Sequence, residues 1–285
     1  MKIYENKSFG EERALYGADG LLLVGCSFDG EEDGESALKE GKNIVCDGVL
    51  FNLRYPLWHD TDVRMVNCEM TELCRAALWY SEKIDIRASR LHGIKALREC
   101  RDIRITDCDV KSVEFGWFSH NIDIENSSFW GEYFMLRATG LNMKNSSLLG
   151  KYSFQYIENS VFENCDFDTK DAFWHAKNIV VRNSVVKGEY LAWYSENITF
   201  ENCTIIGTQP LCYCKGLKLI NCKMIDCDLS FERSEVEADV VGHITSVKNV
   251  YGGYVRAESI GEIICDDERA VGRVEILKEI EKSLV

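Results

Sequence analysis

The 285-residue sequence predicts an all-β fold, a single-stranded parallel β-helix with three short strands in each 19-residue coil. Three observations support this fold class. One phrase recurs at a fixed step, apolar and polar residues alternate within each copy, and the chain contains only 2 Pro. Each Pro inside a continuous stack of strands would delete a ladder hydrogen bond, so a low Pro content suits such a stack.

The repeat is a phrase in which Asn or Gly opens an alternating apolar segment, followed by Asn or Asp, then Cys or Ser, and then an apolar residue. Its sixth position advances by 19 residues in the central copies, at Asn126, Asn145, Asn164, Asn183, Asn202 and Asn221. Eleven copies cover about residues 20 to 224, the first of them placing Gly25 in the sixth position. A fixed step of this length is the signature of stacked structural repeats.

Each copy contains the pattern of a half-buried strand and then two further short segments. Ile122 and Ile124 flank the polar Asp123, and such period-two alternation predicts a strand. The strand ends at Asn, Asp or Gly, which accept the unusual backbone angles of a corner. A Cys or Ser followed by an apolar residue, such as Cys203 and Ile205, predicts a second strand. An apolar-aromatic segment predicts a third, and the unit leaves no room for a helical crossover.

Stacked coils place equal positions above each other, about 4.8 Å apart. The Asn column therefore predicts a ladder of side-chain amides, and the Cys or Ser column predicts small residues turned inward at a corner. This column accounts for most of the 13 Cys. A metal site at Cys212 and Cys214 is the alternative, but this pair lacks the second half of a zinc site. We expect no metal and no cofactor.

The ends of the chain lack the repeat. Residues 1–19 are predicted to be an N-terminal cap, residues 20–224 the regular coils, and residues 225–285 irregular last coils and a cap, giving about 11–13 coils in a single domain over 1–285. The tail from Arg273 has apolar residues at helical spacing and predicts a short capping helix: Val274, Ile276, Leu277, Ile280 and Leu284.

Charge and segment composition limit the partners. The net charge is 33 − 47 = −14, which disfavours nucleic acid and anionic membrane surfaces as partners. No apolar stretch approaches the roughly 20 residues that cross a bilayer. The start of the chain has no apolar core of a signal peptide, so we expect a cytoplasmic protein with reduced thiols. The sequence does not indicate an oligomeric state.

The Asn-x-x-x-x-Asn-Cys phrase, at about 20 residues per coil, resembles right-handed parallel β-helix proteins of the pectin-lyase-like superfamily. The opening SFGEERALYGADGLLLVGCSF and the later GHITSVKN and SIGEII are similar to an uncharacterised family of β-helix proteins from bacteria and related sources. The resemblance covers essentially the whole chain and implies a right-handed helix. It implies no single reaction, because the superfamily contains lyases, hydrolases and esterases of acidic polysaccharides as well as non-catalytic adhesins and assembly factors.

Two neighbouring columns of the third segment are the candidate site. One contains five of the six Trp, and the next, which we expect to be the more exposed, contains Arg137, Tyr156, His175, Tyr194 and Tyr213. Aromatic rings beside charged groups are typical of sugar-binding grooves. The candidate catalytic residues are Asp171, His175, Glu189 and Arg137. The candidate substrate-binding residues are Trp117, Trp174, Trp193, Tyr156, Tyr194, Tyr213, Lys151 and Lys170. A Trp stack at coil spacing is also a common structural feature.

Two hypotheses remain from the sequence. The first is a carbohydrate-active β-helix protein with hydrolase or lyase chemistry. Glu132 and Glu189 are three coils apart, about 14 Å, too far for a glycosidase pair, whereas Asp171 and Glu189 are on adjacent coils. For a lyase, Arg137, Lys151 or Lys170 would stabilise the developing charge. The alternative is a non-catalytic scaffold that binds a glycan or a protein.

Overall fold

In the computed structural model, which describes residues 1–30 and 34–277, the chain is an all-β parallel β-solenoid of about 14 turns. The chain divides into two compact units, Met1–Ser160 and Val161–Val285. The described residues contain no helix, and hence none long and apolar enough to span a membrane. The predicted fold class is confirmed. The single domain over residues 1–285 and the right hand of the helix stay predictions.

Unit 1 contains two ladders of parallel strands. The first side of its coils consists of β1 (Lys2–Glu5), β3 (Asp19–Val24), β5 (Lys42–Asp47), β7 (Thr61–Val66), β10 (Glu82–Arg87), β13 (Arg101–Thr106), β15 (His120–Glu125) and β17 (Thr139–Lys144). The second side consists of β2 (Ser8–Phe9), β4 (Ser27–Phe28), β6 (Leu50–Phe51), β8 (Glu69–Met70), β11 (Arg90–Leu91), β14 (Asp109–Lys111), β16 (Ser128–Glu132) and β18 (Ser147–Lys151). A short third ladder pairs β9 (Leu78–Trp79) with β12 (Leu97–Arg98).

Unit 2 repeats this arrangement and then lengthens its strands. After β19 (Glu158–Glu163), which contains the boundary, its strands are β20 (Asp166–Lys170), β21 (Lys177–Arg182), β22 (Val185–Lys187), β23 (Glu196–Glu201), β24 (Thr204–Ile206), β25 (Leu217–Ile225), β26 (Glu235–Lys248), β27 (Gly252–Ile264) and β28 (Arg273–Ile276). β21, β23, β25, β26, β27 and β28 pair successively in parallel, and β20, β22, β24 and β25 form the second ladder.

The strand register reproduces the sequence repeat. Ile84 pairs with Ile103, and Ile103 pairs with Ile122, a step of 19 residues each time. These three side chains are almost fully buried, whereas the residues beside them face solvent or are half-buried. Rings stack inside the second side as well, with the centroids of Phe28 and Phe51 5.3 Å apart. The apolar columns of successive coils therefore form the core of each unit.

The predicted Asn ladder is present at the corner after the first side. In unit 2, Asn221 Nδ2 donates to Asn202 Oδ1 at 2.7 Å, and Asn202 Nδ2 donates to Asn183 Oδ1 at 3.3 Å. All three residues have left-handed φ angles of 50–53°. Asn tolerates this conformation better than most residues do, because its short polar side chain bonds locally. The column thus shapes the corner and links the coils.

The predicted inward column of Cys and Ser is also present. Twelve of the 13 Cys are buried, Cys265 is exposed, and all 13 are free thiols. Cys108 illustrates the column: its Sγ donates to the carbonyl of Thr106 at 3.2 Å, and its N–H donates to Ser127 Oγ at 3.1 Å. Cys212 and Cys214 are buried and donate to backbone carbonyls. Within 1–30 and 34–277, no three His, Cys, Asp or Glu side chains are grouped to hold a metal ion.

The third side of each coil, which is the segment between the second side and the first strand of the next coil, differs from the predicted third strand. In the coil that contains Arg137, every second residue is left-handed, with φ angles of 56°, 57° and 55° at Tyr133, Met135 and Arg137. The N–H groups still bond to neighbouring coils, as Met135 does to the Phe115 carbonyl at 2.7 Å. Because this backbone is not pleated, the adjacent Phe134 and Met135 are both buried, which a strand would not allow. The prediction of three strands per coil is therefore wrong for most coils.

The two ends also differ from the prediction. Residues 1–19 are not a separate cap but one more coil, since Lys2 pairs with Leu21 and Phe9 pairs with Phe28. The predicted helix from Arg273 is wrong over its first turn. Arg273–Ile276 is strand β28, whose backbone is satisfied by parallel pairing with β27. The rest of that helix prediction, residues 278–285, lies outside the described residues.

Candidate functional site

The left-handed third side directs two neighbouring columns of side chains outward. The column of Trp58, Trp79, Trp117, Trp174 and Trp193 is half-buried. In the next column, Tyr80, Tyr156 and Tyr194 are 40%, 38% and 44% exposed. This agrees with the expectation that the column of His, Tyr and Arg faces solvent more than the Trp column does. The third sides of unit 1 and unit 2 are described separately below.

The Trp residues are tied to the backbone by their indole N–H groups. Trp117 Nε1 donates to the Tyr133 carbonyl at 2.7 Å, and Trp193 Nε1 donates to the Gln209 carbonyl at 2.8 Å. Trp174 makes the same bond to Tyr190 at 2.7 Å. Each bond links a coil to the following one. The Trp column therefore has a structural role in both units, because a half-buried indole N–H needs an acceptor.

In unit 2, ring faces cover one another along both columns. The rings of Trp174 and Trp193 stack at 5.5 Å with 4° between their planes. His175 stacks on Tyr194 at 5.1 Å, and Tyr194 stacks on Tyr213 at 4.8 Å. These predicted substrate-binding residues thus lie side by side in the fold. Because their faces pack on each other, they present ring edges and polar atoms outward.

In unit 1, the predicted residues are joined in pairs. The guanidinium carbon of Arg137 lies 4.5 Å from the ring centroid of Tyr156, a cation–π geometry. Lys151 Nζ lies 3.1 Å from Glu132 Oε1. The hydrogen bond that Lys151 donates to this carboxylate raises the pKa of Lys151 above its usual range. The cations of this part of the site are therefore already bound to neighbours on adjacent coils.

Three predicted residues of unit 2 meet where the second side ends. Lys170 Nζ lies 2.7 Å from Glu189 Oε2, and the N–H of Asp171 donates to the Glu189 carbonyl at 2.9 Å. Asp171 is only 6% exposed. Burial raises the pKa of its carboxyl, the positive charge of Lys170 opposes this shift, and the negative charge of Glu189 adds to it. A sheltered carboxyl with a raised pKa therefore lies beside the ion pair of Lys170 and Glu189.

A second buried carboxyl, Asp60 of unit 1, lies outside the candidate site. It is 1% exposed. Its Oδ1 accepts the Gly41 N–H at 3.0 Å, whereas its Oδ2 has no hydrogen-bond partner among the described residues. Burial raises its pKa to about 8, and the Gly41 and Glu40 backbone donors only partly oppose the shift. The same inward column has Ser81 on the next coil, so a carboxyl stands where the repeat takes a small hydroxyl.

Sequence reasoning did not select a charged cluster of unit 1. Arg98, Glu99, Arg101, Glu82 and His120 line one open cleft together with aromatic rings. A signal was present in the sequence, because Arg98 and Glu99 interrupt the two aromatic columns at the same coil.

The solved structures similar to this chain share little sequence with it. The A-module of a mannuronan C-5 epimerase from Azotobacter vinelandii aligns with 83% of this chain and 87% of its own, at 13% identity and a TM-score of 0.32. The catalytic domain of a GH87 α-1,3-glucanase in complex with tetrasaccharides aligns with 97% of this chain and 64% of its own, at 10% identity and a TM-score of 0.32. A plasmid-mediated fluoroquinolone resistance protein aligns with 82% of this chain and 89% of its own, at 10% identity and a TM-score of 0.17. Likeness at this level gives no information on substrate or reaction.

No curated protein sequence matches the chain. The model of one protein family, described as "Protein of unknown function (DUF3737)", matches residues 2–277. That range covers nearly the whole chain and every residue of the candidate site. It confirms the expected membership in a family of β-helix proteins without a defined function, and this chain belongs to the DUF3737 family.

Proposed function

We propose that this protein is a carbohydrate-active β-helix protein whose reactive groups are Asp171 and Glu189 of unit 2. The observation that carries the proposal is the sheltered Asp171 carboxyl, with its raised pKa, beside the ion pair of Lys170 and Glu189. In this pair, Asp171 is the proton donor to a glycosidic oxygen. Glu189, whose Oε2 lies 2.7 Å from Lys170 Nζ, is the base or nucleophile.

The spacing of adjacent coils supports hydrolysis more than the other reactions of such folds. Asp171 and Glu189 belong to successive coils, which stack about 4.8 Å apart, and to neighbouring columns. Carboxyl groups of retaining glycosidases are about 5–5.5 Å apart, and those of inverting enzymes are about 6.5–9.5 Å apart. One coil and one column therefore separate the two residues, a spacing compatible with a glycosidase carboxyl pair. His175, Tyr194 and Tyr213 would hold sugar hydroxyl groups with their polar edges, as Trp174 and Trp193 support the rings behind them.

The test is a turnover screen with neutral and acidic oligosaccharides. Asp171→Asn and Glu189→Gln should each lower turnover about 10²–10⁴-fold, the range for loss of an acid or base. Asp168→Asn is the matched control, because Asp168 is an exposed aspartate of unit 2 paired with Lys187 at 2.6 Å. His175→Ala and Arg137→Ala test the remaining predicted residues. Equal turnover by the wild type and both carboxyl variants would remove this pair as the reactive centre.

A non-catalytic glycan-binding scaffold is the second candidate, and the ladder packing favours it. The rings of His175, Tyr194 and Tyr213 cover each other, and the charges of Lys170 and Glu189 neutralise each other. A surface whose rings and charges are already paired would bind a ligand through its ring edges and would not catalyse a reaction. Binding of an oligosaccharide without turnover, weakened by His175→Ala but not by Asp171→Asn, would support this candidate. A cytoplasmic location stays a prediction for both candidates.

A further inference from the structure

The exposed column of unit 1 contains a gap in its aromatic stack. His59, Tyr80, Glu99 and Phe118 occupy this column on successive coils and share left-handed φ angles of 58°, 59°, 50° and 54°. The rings of His59 and Tyr80 stack at 4.9 Å with 14° between their planes. On the following coil the column has a glutamate in place of a ring. Equal backbone angles direct the side chains alike, so Tyr80 and Phe118 face each other across the Glu99 coil.

The width of this gap suits a puckered ring. Tyr80 and Phe118 are two coils apart, about 9.6 Å at about 4.8 Å per coil. A flat ring in contact with both would need about 7–8 Å, since carbon atoms in contact are about 3.5–4.0 Å apart. In the described part of the chain, His59 is the one ring stacked face to face on Tyr80, which is 40% exposed. The other face of Tyr80 is open to a ligand somewhat thicker than an aromatic ring.

The floor of the gap is polar and electrically balanced. The Arg98 guanidinium carbon lies 5.1 Å from the Trp79 ring centroid, 5.2 Å from that of Trp117 and 5.8 Å from that of Phe118, so it also covers part of the Phe118 side of the gap. Its Nε lies 3.3 Å from Glu99 Oε1. Beside it, Arg101 Nε donates to Glu82 Oε2 at 2.6 Å. The two guanidinium groups and the two carboxylates therefore balance in charge and hold each other in place.

These groups line one cleft of about 680 Å³. Its lining also includes His120, whose Nδ1 lies 2.8 Å from Thr139 Oγ1, and the rings of Tyr80 and Phe118. The volume falls in the range of small-molecule sites, roughly 300–1,000 Å³. A site with apolar rings on two sides and paired charges on its floor recognises a ligand with an apolar face and many hydroxyl groups.

We infer that this gap binds a neutral hexopyranose unit. The C–H face of the sugar packs on the open face of Tyr80, and its hydroxyl groups exchange hydrogen bonds with Arg98 and Glu99. A neutral sugar is favoured over a uronate because no cation of the cleft lacks a carboxylate partner and the chain carries a net charge of −14. The site belongs to unit 1 and is independent of the Asp171 pair, so either assignment can fail without the other.

The experiment is saturation-transfer difference NMR and calorimetric titration of the full chain. The probes are methyl α-glucopyranoside, methyl β-galactopyranoside, galacturonate and adenosine. The deciding variant is Glu99→Tyr, which fills the gap and continues the stack, so it abolishes binding while the protein stays folded. Tyr80→Ala removes the packing face and should weaken the affinity about tenfold. Glu72→Tyr is the control, since it makes the same change at a side chain that is 75% exposed.

The expected result is binding of at least one neutral pyranoside by the wild type and Glu72→Tyr, weaker binding of galacturonate, and none by Glu99→Tyr. An unchanged or higher melting temperature of Glu99→Tyr shows that its loss of binding is not unfolding. The inference is overturned if no neutral pyranoside binds the wild type, if Glu99→Tyr binds as the wild type does, or if adenosine alone binds. Loss of binding with normal turnover by the Asp171 site would still support it.

Discussion

Replacing Asp60 with Ser should stabilise the protein, and by an amount that depends on pH. In the folded protein the Asp60 carboxyl keeps its proton up to about pH 8. In the unfolded chain the same carboxyl ionises near its ordinary pKa of 3.8. The free energy of unfolding therefore falls as the pH rises from about 3.8 to about 8. Below this range Asp60 is protonated in both states and does not lower the stability. One pH unit corresponds to about 1.36 kcal/mol, so the cost is about 4 kcal/mol at pH 7 and about 2 kcal/mol at pH 5.

The structure indicates why Ser is the right replacement. Ser81 occupies the same column one coil further on, where its Oγ accepts the Asp60 N–H at 3.0 Å and donates to the Leu57 carbonyl at 2.8 Å. A Ser at position 60 would accept the Gly41 N–H in the same way and would remove Oδ2, the buried oxygen without a hydrogen-bond partner among the described residues. Asp60→Asn also removes the charge but retains a polar atom at that place, so it should stabilise less.

Urea unfolding followed by Trp fluorescence at several pH values between about 5 and 8 measures the effect. The free energy gained by Asp60→Ser over the wild type should grow by about 1.4 kcal/mol per pH unit between about pH 5 and pH 7 and more slowly towards pH 8. Asp60→Asn should show the same slope, because both variants lack the titrating group. A difference between wild type and variant that stays constant with pH would refute the assignment of a buried, protonated carboxyl.

Three further predictions concern the ladders and the thiols. Asn202→Ala should destabilise the protein by about 2 kcal/mol and Asn202→Gly by about half as much in urea unfolding, because Gly retains the left-handed corner but not the amide bonds. Trp193→Phe should cost about 1 kcal/mol by removing the bond to the Gln209 carbonyl, whereas Trp130→Phe, at a ring 46% exposed, should cost less. Ellman's reagent should modify one thiol of the native protein rapidly, and Cys265→Ser should abolish that fast phase while the buried thiols react only after unfolding. Equal costs of the two Asn202 variants, or several fast thiols, would contradict the described ladders and burial.

The fold was predictable because one column repeats with little variation. The step between Asn183, Asn202 and Asn221 fixes both the corner and the strand register, and a one-residue slip would turn every apolar side chain outward. The first coil could also have been found. Asn6 and Phe9 stand 19 residues before Gly25 and Phe28, and Asn6 has the left-handed φ of 51° that the corner needs.

The third side could not be predicted in the same way. Its left-handed positions are occupied by Tyr, Phe and Arg, residues that avoid this conformation elsewhere, so residue type gave no sign of it. Tyr133 and Arg137 are held there by hydrogen bonds from both backbone N–H groups to the next coil, at 3.0 Å each. The burial of Asp60 was equally hidden, because its column has to be aligned through an irregular step of 21 residues to Ser81 before its inward position becomes apparent.

The constant step between coils has a consequence for how each unit folds. A residue such as Ile103 pairs with residues 19 positions away on either side, at Ile84 and Ile122. For pairings at this distance in a chain of 285 residues, the relative contact order is 19/285, about 0.07. Two-state helical bundles have such values, whereas β-sandwiches reach about 0.16–0.22. Each coil needs only the preceding one as its template, so folding can spread from any first pair of coils by successive short loop closures.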